Sequence, residues 1–223
     1  TGAFSTTIVV GSDTLTSAGG TDVFIAKYTI AGELVWIQQA GSSNNEYGYG
    51  IAVDGQGNVI VTGGLNGSMS FGDTVVKSGG IFLAKYDASG DLLWARGAGG
   101  TCCSEGFAVD VDNAGNIYIV GDFEGTAKFE QKTIESRGSR DIFIARYSAA
   151  GAIQWVAGGG STAADAGMDI TVVDDHRLYI TGQIAGSARF GNSTVSCAGS
   201  TDMIMVAYDA STGGAIWARS AGS

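Results

Sequence analysis

The sequence predicts an all-β protein, a β-propeller built from four-stranded antiparallel blades of about 60 residues each. Three observations lead there. A phrase ending in tryptophan occurs four times, as "VFIAKYTIAGELVW" (23–36), "IFLAKYDASGDLLW" (81–94), "IFIARYSAAGAIQW" (142–155) and "MIMVAYDASTGGAIW" (203–217). The tryptophans stand 58, 61 and 62 residues apart. Two more phrases recur between them in fixed order, which marks a structural repeat. No stretch carries apolar residues at helical spacing, whereas short β-branched and aromatic runs are bounded by Gly, Asn, Asp and Ser.

Each element follows from its residues. Strand one is "IAVD" in "IAVDGQGNVIVTG" (51–63), with counterparts in "FAVDVDNAGNIYIVG" (107–121) and "ITVVDDHRLYITG" (170–182). The turn after it, "DGQGN", offers Asn and Gly, which tolerate positive φ and suit a tight hairpin. Strand two is "NVIVTG". An excursion follows, "SMSFGDTVVKSGG" (68–80), "AKFEQKTIESRG" (127–138) or "ARFGNSTVSCAG" (188–199), which reads as a small extra hairpin. Strand three is "IFLAKY" and strand four "LLWAR". Strands one and three are apolar on successive residues, so both of their faces should be covered. Small sheets stacked radially provide that cover, whereas a β-helix has shorter rungs. Trp36, Trp94, Trp155 and Trp217, with Tyr28, Tyr86, Tyr147 and Tyr208 at the ends of strand three, form the structural blade motif. Each tryptophan is expected to pack its flat ring on the adjacent blade.

Blades cut before strand one run 46–104, 105–164 and 165–223, and 1–45 is an incomplete blade of strands three and four plus the preceding hairpin. Propellers rarely have fewer than four blades. The expectation is therefore a piece of a longer protein, or chains that associate to complete a ring, because exposed strand edges invite pairing.

Composition narrows the function. Gly is abundant at 37 residues, Pro is absent, and the 44% hydrophobic content argues against a disordered low-complexity chain. The net charge of −10 disfavours nucleic acid and anionic membrane surfaces. No apolar run is long enough to span a bilayer, so membrane insertion is not expected. Cys102, Cys103 and Cys197 match no zinc spacing, and free thiols are favoured over a strained 102–103 bridge.

The order "DIFIARYSAAG" with its tryptophan, then "ITVVD", "YITG" and "ARFG", resembles the SBBP family of bacterial β-propeller repeats over essentially the whole chain. That resemblance implies a propeller fold in a secreted or surface protein and says little about activity. The "YDASTGGAIW" version also resembles the Trp-docking repeat of quinoprotein propellers, as a blade-packing motif.

Candidate chemistry is sparse. His176 is the sole histidine and sits where other units place a turn. No nucleophile elbow, P-loop or dinucleotide fingerprint is present. Glu46, Glu105 and Asp165 are read in one register at the start of strand one, where a carboxylate ring could hold a cation. The favoured role is local, each acid accepting from its own loop backbone. Asp54, Asp110 and Asp174 read as turn formers, and "DVDNAGN" lacks the downstream Glu of a calcium loop. Variation concentrates between strand four and strand one, in "GSSNNEYGYG", "GGTCCSEGF" and "GGGSTAADAGM". Binding-face candidates are thus Asn44, Asn45, Glu46, Tyr47, Ser104, Glu105, Thr162 and Asp165. No catalytic residue, metal site or cofactor is expected, and calcium is weighed but not predicted. The expected function is a structural or protein-interaction module of a secreted or cell-surface protein. Partners would be other copies of the chain, the rest of a longer chain, or an extracellular protein or glycan. A glycan-binding propeller and a quinoprotein-like enzyme fragment are the alternatives.

Overall fold

The computed structural model describes residues 1–100, 103–174 and 176–223. Among these residues every regular element is a strand. The first sheet holds β1 (Gly2–Val10), β2 (Asp13–Tyr28) and β3 (Leu34–Ala40) in that order. The second runs β4 (Tyr47–Val53), β5 (Val59–Gly64), β8 (Gly80–Tyr86) and β9 (Leu92–Gly99), with the hairpin β6 (Gly67–Phe71) and β7 (Thr74–Ser78) inserted before β8. The third is β10 (Glu105–Val111), β11 (Ile117–Phe129), β12 (Lys132–Tyr147) and β13 (Ile153–Gly159). The fourth is β14 (Ala166–Asp174), β15 (Arg177–Ile184), β18 (Asp202–Asp209) and β19 (Ala215–Ala221), with the hairpin β16 (Ser187–Phe190) and β17 (Ser193–Ser196). All pairings within sheets are antiparallel. The excursion of each repeat is the expected hairpin, drawn out in the first and third sheets into the ends of long strands.

The sheets stack in sequence through three apolar seams. Val23 and Ile25 of the first sheet meet Val59, Val61, Phe82, Ala84 and Tyr86 of the second. Ile60, Ile81 and Leu83 on the other face of the second meet Ile117, Ile119, Phe143, Ala145 and Tyr147. Tyr118, Val120, Ile142 and Ile144 then meet Leu178, Ile180, Ile204, Val206 and Tyr208. Because strand side chains alternate between faces, strand three must be apolar on both faces to serve two neighbours. Strand two is buried in the same way, from Val59 to Gly64. Strand one departs from the expectation in β4, where Tyr47, Tyr49, Ile51 and Val53 are exposed. Ile51 and Val53 share a face with Val61 and Val59, toward the three-stranded first sheet, which has no strand to cover them, whereas β10 lies between β4 and β14.

Backbone bridges and tryptophans lock the seams. The end of strand four pairs with the hairpin of the next sheet at Gly41–Ser70, Gly99–Lys128 and Gly160–Arg189. Trp36 Nε1 donates to Ala88 O at 3.2 Å, Trp94 Nε1 to Ala149 O at 3.2 Å, and Trp155 Nε1 to Ala210 O at 3.0 Å. Each acceptor lies in the strand three to strand four turn of the following sheet. The turn glycine, Gly90, Gly151 or Gly213, has positive φ and lies under the indole ring, where a Cβ would come within 2.8, 2.9 or 2.6 Å of it. Glycine is required there twice over, by backbone conformation and by the ring above it. Tyr86 lies 6.4 Å from Trp36, and Tyr118 lies 6.1 Å from Trp155.

Candidate functional site

The strand four to strand one loops close on themselves. Ser42 donates its backbone N–H (2.8 Å) and hydroxyl (2.7 Å) to the Glu46 carboxylate. Ser161 does the same to Asp165, which also accepts from Ala185 N at 2.9 Å. In the third sheet the equivalent bond runs from Gly100 N to Ser104 Oγ, also four residues on. Ser104, not Glu105, is thus the counterpart of Glu46 and Asp165, and the carboxylate ring read from the sequence loses one member. Two buried acids tied to their own loop backbones perform the local role. Burial raises the pKa of Glu46, against the pull of its Ser42 hydrogen bonds.

A similar shift affects the turn acids. Asp54, Asp112 and Asp174 accept from the backbone two residues on, at Gln56, Ala114 and His176. Asp110 instead bonds Val111 N and, across the seam, Val172 N. In the second sheet Asp54 pairs with Lys85 at 2.9 Å, both almost fully buried. Burial opposes ionisation of Asp54, but hydrogen bonds from Lys85, Asn58 and Gln56 prevail and hold its pKa at about 2. His176 is exposed on its turn, with no acid–base partner among the described residues. Asp175 and Cys102 lie outside the described residues; Cys103 and Cys197 carry free thiols. No group of three metal-ligating side chains occurs among the described residues.

Where the loops of the second and third sheets meet, they enclose a cleft of about 740 Å³. Asn45, Tyr47, Ser104 and Glu105 line it, with Asn66, Cys103 and a floor of glycines. Four of the eight candidates are therefore together. Asn44 is adjacent, its amide donating to Asn66 O at 2.8 Å. Glu46 and Asp165 are buried under their own loops, and Thr162 is exposed on a separate loop.

Beside the cleft stands an aromatic ladder that the sequence reading passed over. Tyr47 stacks on Tyr49 at 6.0 Å, and Tyr49 meets Phe107 of the next sheet at 5.4 Å. Tyr49, Phe107 and Met168 are each the extra residue of a β-bulge that follows a glycine in strand one. A bulge re-aims one side chain out of the pleat. The signal was present in "YGYG", "EGF" and "AGM". Burial, then the nearby Glu105 carboxylate, push the Tyr49 hydroxyl up to about 12. Asp122, backbone partner of Glu105, is raised to about 6 by burial, although Arg140 lies 3.2 Å away. Among the described residues the site thus offers stacking faces, amides, carboxylates and the Arg140 guanidinium.

Residues 35–63, from the Trp36 strand through β4 and β5, match the model of the SBBP β-propeller repeat. That segment is similar to an SBBP repeat. Within it, Trp36, the Glu46 loop and the Asp54 turn are the parts that reappear in the later sheets. The chain is 27% identical over 206 residues to an uncharacterized WD repeat-containing protein, L264, of Acanthamoeba polyphaga mimivirus. It is 26% identical over 116 residues to the regulatory protein FlaEY of Caulobacter vibrioides. These matches cover 77% and 50% of this chain. The chain spans 14% and 12% of the length of those relatives.

Proposed function

We propose that the chain is a structural and protein-binding module of a secreted or cell-surface bacterial protein, acting through its strand four to strand one loops without catalysis or cofactor. The observation that carries this reading is the cleft itself. It is built from the most variable loops, rests on a stack locked by repeated local bonds, and gathers aromatic and amide groups rather than a catalytic set. The acidic charge of −10 favours partners that are neutral or basic. A photo-crosslinking residue at Tyr47, compared with one at the exposed strand-four position Leu93, tests it in the native host's surface and secreted fraction. Discrete adducts from Tyr47 alone are expected. Identical adducts from both positions, or a chain found only in the cytosol, would overturn the proposal.

A second reading has a specific observation in its favour. The exposed Tyr47–Tyr49 pair beside Asn45, Asn66 and Glu105 is the combination that stacks on and hydrogen-bonds a sugar ring. Binding on a glycan array that disappears in Tyr47→Ala would move the conclusion to a lectin-like module; a blank array removes it.

A further inference from the structure

The outer face of the fourth sheet carries the groups with which the second and third sheets hold their neighbours. Met203 and Met205 occupy the register of Ile142 and Ile144 in the third sheet. Those isoleucines are fully buried, whereas the methionines are 69% and 46% exposed. Trp217 takes the place of Trp155 and Trp94, and packs at a tilt on Tyr179 at 5.9 Å as Trp155 does on Tyr118. Its indole N–H has no acceptor among the described residues, where the other three each hold a turn carbonyl.

Arg219 is the most telling group. In the second sheet, Arg96 stands over Trp94 (5.4 Å), donates Nη1 to Ala95 O (2.9 Å), and uses Nε to grip Gly151 O of the next sheet (3.1 Å). Arg219 stands over Trp217 (5.9 Å) and donates Nη1 to Ala218 O (2.8 Å) in the same pose. Its Nε has nothing to hold among the described residues. The grip is preset and empty.

The opposite end of the stack carries the matching part. The turn Thr29–Glu33 has the backbone bonds of the gripped turns: Thr29 N to Glu33 O and Gly32 N to Thr29 O, as in Asp87–Asp91 and Ser148–Ala152. Gly32 has φ +83, close to the +94 and +80 of Gly90 and Gly151. Those glycines lie under a tryptophan, but nothing lies within 4 Å of a Cβ placed on Gly32. Ile30, at the position of the acceptor residues Ala88, Ala149 and Ala210, is fully exposed. Tyr28, the counterpart of buried Tyr86 and Tyr147, is also exposed. Even the backbone bridge has its unused halves: Gly222 stands five residues after Trp217, as Gly160 does after Trp155, and exposed Val9 stands in the hairpin register of Ser70.

We propose that the Trp217 face binds the Thr29–Glu33 turn of a second copy of this chain, head to tail. Trp217 covers Gly32 of that copy and donates to Ile30 O, while Arg219 donates to Gly32 O. The interface continues the three seams already inside the molecule, with the same groups in the same register. A heterologous contact of this kind builds rings or open chains. The proposal rests on the stacked-sheet architecture and is independent of the loop cleft, so loss of Tyr47 adducts leaves it untouched.

Analytical ultracentrifugation between about 1 μM and 1 mM tests it, with Trp217→Ala and Gly32→Asn as variants. Asn tolerates positive φ, and its side chain fills the space the indole needs. Circular dichroism confirms that each variant is folded, and Arg219→Ala substitutes if Trp217→Ala is not. The wild-type chain should form dimers and larger species as concentration rises. Each variant should weaken association at least ~30-fold. An equimolar mixture of the two variants should form a dimer and stop there, because each retains one intact end. A wild-type chain that stays monomeric throughout overturns the proposal, whether it closes on itself or accepts a different partner. Association abolished by Trp217→Ala but not by Gly32→Asn also overturns it, since the Trp faces would then pair with each other.

Discussion

The tryptophan-over-glycine contact can be weighed by adding one methyl group at two glycines that differ only in what covers them. Gly151 has φ +80 and Gly32 has φ +83, so alanine suffers the same backbone penalty at both, ~1–2 kcal/mol. At Gly32 the new Cβ enters open space; at Gly151 it arrives 2.9 Å from Trp94 Cδ2 and 3.0 Å from Cε2. The indole cannot retreat freely, because its N–H is bonded to Ala149 O and Arg96 stands over it. Overpacking of this kind costs a further ~1–3 kcal/mol. Urea unfolding at a protein concentration where the chain is monomeric should therefore place Gly151→Ala below Gly32→Ala by ~1–3 kcal/mol. In a Trp94→Ala background the gap should close, since the obstruction is gone. Equal losses at both glycines, or a gap that survives Trp94→Ala, would show that the contact does not hold the seam.

Three other outcomes follow from the same geometry. Lys85→Met should cost ~3–5 kcal/mol by stranding buried Asp54, and Lys85→Met with Asp54→Asn should recover much of it, read by thermal unfolding. Asp122 and Asp141 are both raised to about 6 by burial, so the folded chain holds protons that the unfolded chain has released above about 4. Stability should accordingly fall as pH rises from about 4 to about 6, by ~3 kcal/mol per group at most, and Asp141→Asn should flatten that slope in urea titrations. Ile144→Ala should cost ~2–5 kcal/mol in its closed seam, whereas Met205→Ala at the same register on the open face should cost less than ~1 kcal/mol in the monomer, measured by the same unfolding.

The blade phrases were legible because each position within them has one job in every repeat. "IFIARY" must be apolar on both faces, and the tryptophan needs a glycine in the next turn, so the pattern survives however the loops vary. The acids misled for a reason that lies in the strand. The nearest acid before strand one is Glu46 in one unit and Glu105 in the next, but the loop bond runs from Gly100 N to Ser104 as from Ser42 N to Glu46, and strand pairing sets Glu105 level with Tyr47. The bulge sits at the same place in each strand one, at Tyr49, Phe107 and Met168, and such a residue is invisible to a reading that assumes strict alternation. The same one-residue uncertainty hid the ladder. Tyr49 and Phe107 look like ordinary strand residues until the bulge turns them out of the pleat and brings them together. Turn acids show the opposite limit: Asp110 and Asp112 stand two apart in "DVD", both suited to a turn, and only the backbone decides which one caps it. Repetition thus encodes the scaffold once per unit, while the cleft depends on offsets of one or two residues between units. Those offsets are where function has room to differ from one seam to the next, and the cleft forms at the junction where Ser104 replaces the acid.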